Sequence, residues 1–129
     1  MTSPNDSARR DAERWGRHAE LLCVIRLRLT GWRILSRRLT AARGSGQGEI
    51  DIVARRGKVL AFIEVKARSR RDEGLAAVTP HQQQRLARAA ASFLGRRTDL
   101  AALDVRFDVM VVGPGVVPYH LADAWRPSF

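Results

Sequence analysis

Three carboxylates and a lysine interrupt two runs of otherwise strand-forming residues. Glu49 and Asp51 lie in Gly48-Glu49-Ile50-Asp51-Ile52-Val53-Ala54, and Glu64 and Lys66 lie in Val59-Leu60-Ala61-Phe62-Ile63-Glu64-Val65-Lys66-Ala67-Arg68. The runs are β-branched and apolar, and Arg55-Arg56-Gly57-Lys58 between them supplies a Gly-containing connection, so the stretch reads as a hairpin. A turn at Arg56-Gly57, or one spread over Arg55 to Lys58, is expected to pair Ala54 with Val59, Asp51 with Phe62 and Glu49 with Glu64. In that register Glu49, Asp51, Phe62, Glu64 and Lys66 share one face, while Ile50, Ile52, Ala61, Ile63 and Val65 line the other. Asp51 and Glu64 are then diagonal neighbours, roughly 7–8 Å apart at the backbone and closer at the carboxylates, a gap one metal ion could bridge.

Carboxylates gathered on one strand face repel, and apolar surroundings sharpen the repulsion, so the cluster calls for a compensating cation. Lys66 supplies one charge. Hard oxygen ligands with no Cys or His nearby suit Mg²⁺ or Mn²⁺ better than Zn²⁺. Lys66 is itself informative, because this arginine-rich chain has only two lysines, Lys58 and Lys66. A lysine presents a compact charge or a proton to a water or a developing oxyanion, whereas a guanidinium stays protonated. The alternative is a plain Glu64–Lys66 ion pair on a solvated strand. Glu49 is either a supporting acid or a partner for an arginine.

Asp51, followed thirteen positions later by Glu64-Val65-Lys66, resembles the Asp…Glu-x-Lys signature of the restriction-endonuclease-like PD-(D/E)xK nucleases. The longer words Gly-Glu-Ile-Asp-Ile-Val, Phe-Ile-Glu-Val-Lys-Ala-Arg, Ala-Val-Thr-Pro and Arg-Phe-Asp-Val-Met-Val-Val, in this order from about Trp15 to Trp125, resemble the YraN family of small bacterial nuclease-like proteins. The resemblance implies an αβββαβ core related to Holliday-junction resolvases, metal held by Asp51, Glu64 and the Val65 carbonyl, and Lys66 positioning the attacking water. Glu20 resembles the helical acid that joins the metal site in such nucleases; its alternative is a salt bridge to Arg17 or to a neighbouring strand. Where Gln82 stands the family usually has lysine, and near Arg37-Arg38 it more often has a basic segment containing asparagine. Both departures bear on nucleic-acid contacts rather than on the metal.

The elements that must position these groups follow from the rest of the chain. Residues 1–6 read as a disordered lead-in and 7–129 as one domain, a length that buries one core. A helix capped by Asp6 or Ser7 is expected to run to Thr30 and stop at Gly31, with Trp15, Ala19, Leu22, Ile25 or Arg26, and Leu29 as one apolar stripe and Gly16, Glu20, Val24 and Leu27 beside it. Its second half is apolar around most of its circumference, so Glu20 should need a partner. Trp32 to Leu39 reads as a basic first strand carrying Arg33, Arg37 and Arg38. The glycine-rich loop Thr40 to Gly48 lacks the Lys-Ser/Thr of a phosphate loop, although Arg43 in it could meet a phosphate. Arg68, Arg70 and Arg71 form the best basic patch, placed to hold a nucleic-acid backbone without reading its sequence; a solvated loop is the alternative. Thr79-Pro80-His81-Gln82 is a helix start with Thr79 as cap and Gln82 completing a capping box. That helix should run to Leu94, with Gln83 or Gln84 either approaching the site or facing solvent. Val105 to Val112 reads as a central strand with Asp108 in a structural ion pair beside Arg106, and Val116 to Trp125 as an edge strand.

A formal net charge of +10 favours a polyanionic partner, nucleic acid first and an acidic membrane surface second. One cysteine, Cys23, excludes a disulfide framework and reads as a buried, inert thiol; no cluster has zinc spacing. No apolar run is long enough to cross a membrane and Arg9-Arg10 precede no export signal, which predicts a cytoplasmic protein. These expectations together describe an α/β, metal-dependent endonuclease hydrolysing DNA, with branched or single-stranded regions as substrate and a homodimer if junctions are resolved symmetrically. The competing expectations are a non-catalytic nucleic-acid-binding module of the same fold, acting in a repair, recombination or uptake complex, and a protein that uses its basic face on an acidic protein.

Overall fold

The computed structural model describes residues 4–39, 49–113 and 117–127. Its elements run α1 (Pro4–Leu29), β1 (Arg33–Leu39), β2 (Ile50–Arg56), β3 (Val59–Ala67), α2 (Arg71–Ala76), α3 (Pro80–Arg96), a 3-10 turn (Thr98–Leu100), β4 (Asp104–Val112) and β5 (Tyr119–Trp125). The expected αβββαβ order is present, extended by the short α2 and by β5 at the sheet edge. The antiparallel strands β2 and β3 are joined by a two-residue turn. The parallel pairing of β3 with β4 requires a crossover, which α2 and α3 provide. The sheet order is β1-β2-β3-β4-β5, so β3 lies at the centre.

Alternation along the strands splits the core between the two faces. Ala19, Cys23, Val24 and Leu27 of α1 pack on Ile52, Ala54, Ala61, Ile63, Met110 and Val112. On the opposite face Leu86, Ala90 and Phe93 of α3 pack on Val53, Leu60, Phe62, Phe107, Val109 and Val111. Rings cross this second face from strand to strand, Phe62 on Phe107 at 5.6 Å and Phe107 on Trp125 at 4.2 Å between centroids. Burying Phe62 and Phe107 contributes about 1.5–3 kcal/mol each relative to exposure. Gly74 of α2 sits so close to Val111 that a Cβ there would overlap both valine methyls.

Helix α1 differs from expectation in two respects. It begins at Pro4, so Pro4 to Asp6 belong to its first turn. Its buried stripe is Ala19, Glu20, Cys23, Val24 and Leu27, whereas Ile25 and Leu29 of the expected stripe are 46% and 77% exposed. A helix apolar on nearly all sides offers two faces, and the strongly β-branched sheet selects the one with the smaller residues. Trp15, Leu22, Ile25 and Leu29 instead border an open groove with Val117 and Pro118. As expected, α1 stops where Gly31 takes a φ of 91°. Helix α3 is capped by the Thr79 side chain, which accepts from the Gln82 backbone N–H at 3.2 Å, and runs to Arg96, two residues beyond the expected end.

The hairpin register is corrected by two residues. Arg56 pairs with Val59, Val53 with Phe62 and Ile52 with Ile63, so the turn residues are Gly57 and Lys58. Gly57 has a φ of 61°, the positive value a two-residue hairpin wants at its first turn position. Centring the turn one residue earlier puts Arg56 there, a side chain that resists that conformation. A shift of two keeps the paired residues, Ile52 to Arg56 and Val59 to Ile63, on their expected faces. It moves Asp51 from a diagonal position to one directly across from Glu64.

Candidate active site

The β2–β3 ladder ends at Ile52 and Ile63 while β2 stays paired with β1 as far as Ile50 and Leu39. The two strands that carry the acids therefore part where the acids begin. Ile50 drops into the core beneath α3 rather than keeping to the face of Ile52, which corrects its expected side. Asp51 closes the gap: its Oδ2 accepts from the Val65 backbone N–H at 2.8 Å. Asp51 and Glu64 end up as neighbours across the parted strands, close enough for Asp51 to act on the Glu64 carboxyl.

Glu64 is 8% exposed, and its Oε2 is buried with no hydrogen-bond partner. Burial, and then the hydrogen bond and charge of Asp51, push its carboxyl up to about 10 against a smaller opposing pull from Lys66. Cys23, beneath the same acids, is buried, and burial followed by the charges of Asp51 and Glu20 pushes its thiol up to about 12, which makes it inert.

Two hollows meet at the acids. One, of about 480 Å³, is lined by Gly16, Arg17, Glu20, Arg38, Glu49, Asp51, Glu64 and Val65. The other, of about 300 Å³, is lined by Glu49, Asp51, Glu64, Gln82, Arg85 and Leu86. Four of the expected residues, Glu20, Glu49, Asp51 and Glu64, thus share one cleft, together with the Val65 backbone. A larger hollow of about 620 Å³ lies elsewhere, between Val59, the start of β4 and the end of β5. Its Arg106 and Arg126 are already paired with Asp108 and Asp123, so size alone does not mark the site.

Among the described residues no three His, Cys, Asp or Glu side chains converge as a ready-made ion cage. The donor set is two carboxylates, one of them with a buried, unpartnered oxygen, beside a backbone carbonyl. That set fits Mg²⁺ or Mn²⁺, since Mg²⁺ keeps several waters and takes only one or two carboxylates from the protein.

Lys66 lies on the α3 side. Its Nζ donates to the Gln82 side-chain oxygen at 3.3 Å, and the Gln82 amide nitrogen donates to the Ala77 carbonyl at 3.2 Å. Gln82 therefore does not close the expected capping box; Thr79 caps the helix alone while Gln82 turns to the lysine. Gln83 is tied to the Val78 carbonyl at 3.3 Å and lines neither hollow, so the glutamine at the site is its neighbour. The signal was present, three residues after the cap, but it carried two meanings.

Glu20, 6% exposed, meets neither Arg17 nor solvent. Its Oε1 accepts from Arg37 Nε at 3.3 Å and its Oε2 from Arg38 Nε at 3.2 Å, both from β1. The basic loop beyond Lys66 is partly engaged: Arg70 pairs with Asp72 at 3.2 Å, Arg71 stacks 4.2 Å over Tyr119, and Arg68 bonds the Ala67 carbonyl. Arg43 lies outside the described residues. Asp108 is structural, as expected. Fully buried on the α1 side of β4, it receives two bonds from Arg106 at 2.9 Å, His120 Nε2 at 2.7 Å and the Asp123 backbone N–H at 2.9 Å. Burial pushes its carboxyl up, but the bonds from His120, Arg106 and Asp123 outweigh that and hold it below the usual carboxylate value.

The five-stranded mixed sheet flanked by helices, with Asp51 and Glu64-x-Lys66 where its strands part, is an α/β core compatible with a nuclease-like one. Comparison with known proteins gives the family. The model of the uncharacterised protein family UPF0102, the YraN family, matches residues 19–112, and the chain belongs to this family. It is 49% identical over 125 residues to the UPF0102 protein amb4503 of Paramagnetospirillum magneticum, covering 97% of each chain. It is 53% identical over 116 residues to a UPF0102 protein of Parvibaculum lavamentivorans, covering 90% of this chain and 84% of that one. A Maricaulis maris relative is 46% identical over 121 residues, covering 94% and 92%. No helix among the described residues is long and apolar enough to cross a membrane.

Proposed function

We propose that this protein is a metal-dependent endonuclease that hydrolyses DNA phosphodiester bonds, with branched or single-stranded regions as its substrate and the cytoplasm as its place of action. The observation that carries the reading is buried Glu64, with an unpartnered oxygen, beside the half-buried Asp51, two residues from a lysine that bonds Gln82 of the same cleft. Asp51, Glu64 and the Val65 carbonyl would hold one Mg²⁺ or Mn²⁺. Bound there, the ion supplies Lewis-acid polarisation of a phosphoryl oxygen and a lowered water pKa. Glu20, with both oxygens on arginines, is left out of this ligand set.

The chain's own residues do the rest. The Val65 N–H fixes one Asp51 oxygen, which holds this side chain at the meeting point of the two hollows. Gln82 anchors Lys66, whose ammonium orients the attacking water and opposes the charge that develops on the phosphate. Glu49, exposed at the mouth of both hollows, adds negative charge near the pair. Symmetric cleavage of a four-way junction would need two such sites, and hence a homodimer.

The test is Mg²⁺- and Mn²⁺-dependent cleavage of end-labelled linear, flapped, single-stranded and four-way-junction DNA by wild type, Asp51→Ala and Lys66→Ala. Cleavage by wild type that is lost in both variants supports the reading and ranks the substrates. Binding of the whole panel without cleavage under either metal, with Asp51→Ala binding equally well, replaces it by the non-catalytic binding module.

A further inference from the structure

In a regular strand, consecutive side chains point to opposite faces. Arg37 and Arg38 do not: both reach the same carboxylate, Arg37 to one oxygen of Glu20 and Arg38 to the other. The backbone explains how. Arg38 has a φ of 52°, one of only two non-glycine residues with positive φ among the described residues. That left-handed conformation is disfavoured for an L-residue other than glycine or asparagine, and here it swings the Arg38 side chain back toward its neighbour's. The acid beneath is nearly buried, while the two arginine side chains are 41% and 46% exposed. Two guanidiniums over one carboxylate leave this trio with one excess positive charge at the edge of the acid cleft, and the β1–β2 register sets Arg38 alongside Asp51.

We infer that Arg37 and Arg38 form a phosphate seat at the rim of the acid cleft, and that Glu20 is the buried counter-ion that positions both guanidiniums rather than a ligand of the metal. The class of ligand is a backbone phosphate of the substrate strand. Paired guanidiniums bind phosphate oxygens in a fixed fork geometry, and these two arginines need no further ordering to do so. A phosphate held here lies beside Asp51, so the seat sets which bond of the strand meets the acids. This assignment rests on the DNA-hydrolase reading and deepens it. It also differs from the loop expectation, because Arg68, Arg70 and Arg71 line neither hollow, whereas Arg38 lines the acid cleft and Arg37 shares the Glu20 carboxylate with it.

Salt dependence of DNA binding, measured by fluorescence anisotropy in EDTA, tests the seat. Each phosphate left unneutralised lowers the slope of log K against log salt by about 0.9, which makes the fall in affinity between ~50 and ~200 mM salt about threefold smaller. Arg37→Ala and Arg38→Ala are each expected to lower the slope by about one such unit. Arg96→Ala, at the far end of α3 about 16 Å along the helix from Arg85, is expected to keep the wild-type slope. Arg38→Asn suits the left-handed backbone, so it stays folded and should show the same drop, whereas Arg37→Lys keeps the wild-type value. Glu20→Gln is expected to retain wild-type Mn²⁺ affinity by calorimetry. Unchanged slopes in Arg37→Ala and Arg38→Asn, or Mn²⁺ binding abolished in Glu20→Gln, overturn the seat while leaving a wild type that cleaves DNA unaffected. A wild type that binds no DNA at any salt overturns the hydrolase reading and the seat together.

Discussion

Replacing Glu64 by glutamine should stabilise the metal-free protein and at the same time abolish its response to divalent metal. Burial of Glu64 beside Asp51 is the reason. Glu64 takes up a proton in the fold because burial and Asp51 raise its carboxyl from 4.5 to about 10. The native state then binds more protons than the unfolded state between those values. Stability is therefore fully present below about pH 4.5 and is lost as pH rises toward 10, by about 1.4 kcal/mol per unit. At pH 7 the accumulated loss is about 3 kcal/mol for a carboxyl this buried. Glutamine keeps the shape and can donate to Asp51 without titrating, so Glu64→Gln should recover most of that energy, a rise of about 10 °C in midpoint for a chain of this length. The assay is thermal unfolding followed by circular dichroism at pH 5, 7 and 9, in EDTA and with Mn²⁺. Wild type should lose stability with rising pH and regain it with Mn²⁺; the variant should be flat in pH and indifferent to the metal. A wild type whose stability does not fall between pH 5 and 9 in EDTA, or a variant stabilised by Mn²⁺ as much as wild type, refutes the reasoning.

Asp108→Asn leaves Arg106 and His120 without their carboxylate and should cost about 3–5 kcal/mol in a urea melt; a loss within experimental error would show that the network is not structural. Because the Asp108 carboxyl is held low, its contribution is present above the ordinary carboxylate pKa and disappears as pH falls through the lower folded value, so the variant and wild type should converge in strong acid. Gly74→Ala drives a methyl into Val111 and should destabilise by about 1–3 kcal/mol, visible as a lower urea midpoint at unchanged slope. Thr79→Ala removes the cap of α3 and should cost about 1 kcal/mol, with Lys66 still bonded to Gln82.

How much of this was legible in the sequence depended on the range of the interaction. Period-two patterning placed Asp51, Glu64 and Lys66 on one face of a hairpin, and it survived a register error because the error was two residues. The error itself came from the turn, where the positive φ belongs to Gly57 at the first position. The cap at Thr79 and the stop at Gly31 are local and were readable. The face of α1 was not, since a helix apolar on most sides defers to the sheet it meets. Glu20 could be read as needing a partner, yet whether Arg17 or a strand supplied it depended on the left-handed backbone at Arg38, which no propensity for arginine announces. Gln82 was hidden for a different reason: a glutamine three residues after a capping threonine has a local explanation that masks a tertiary one.

The central claim is that Asp51 and Glu64 together form a divalent-metal site, and isothermal titration of Mn²⁺ into wild type, Asp51→Asn and Glu64→Gln tests it most directly. One Mn²⁺ per chain is expected in wild type and none in either variant. Mn²⁺ binding retained in both variants, or absent from a folded wild type, would contradict it.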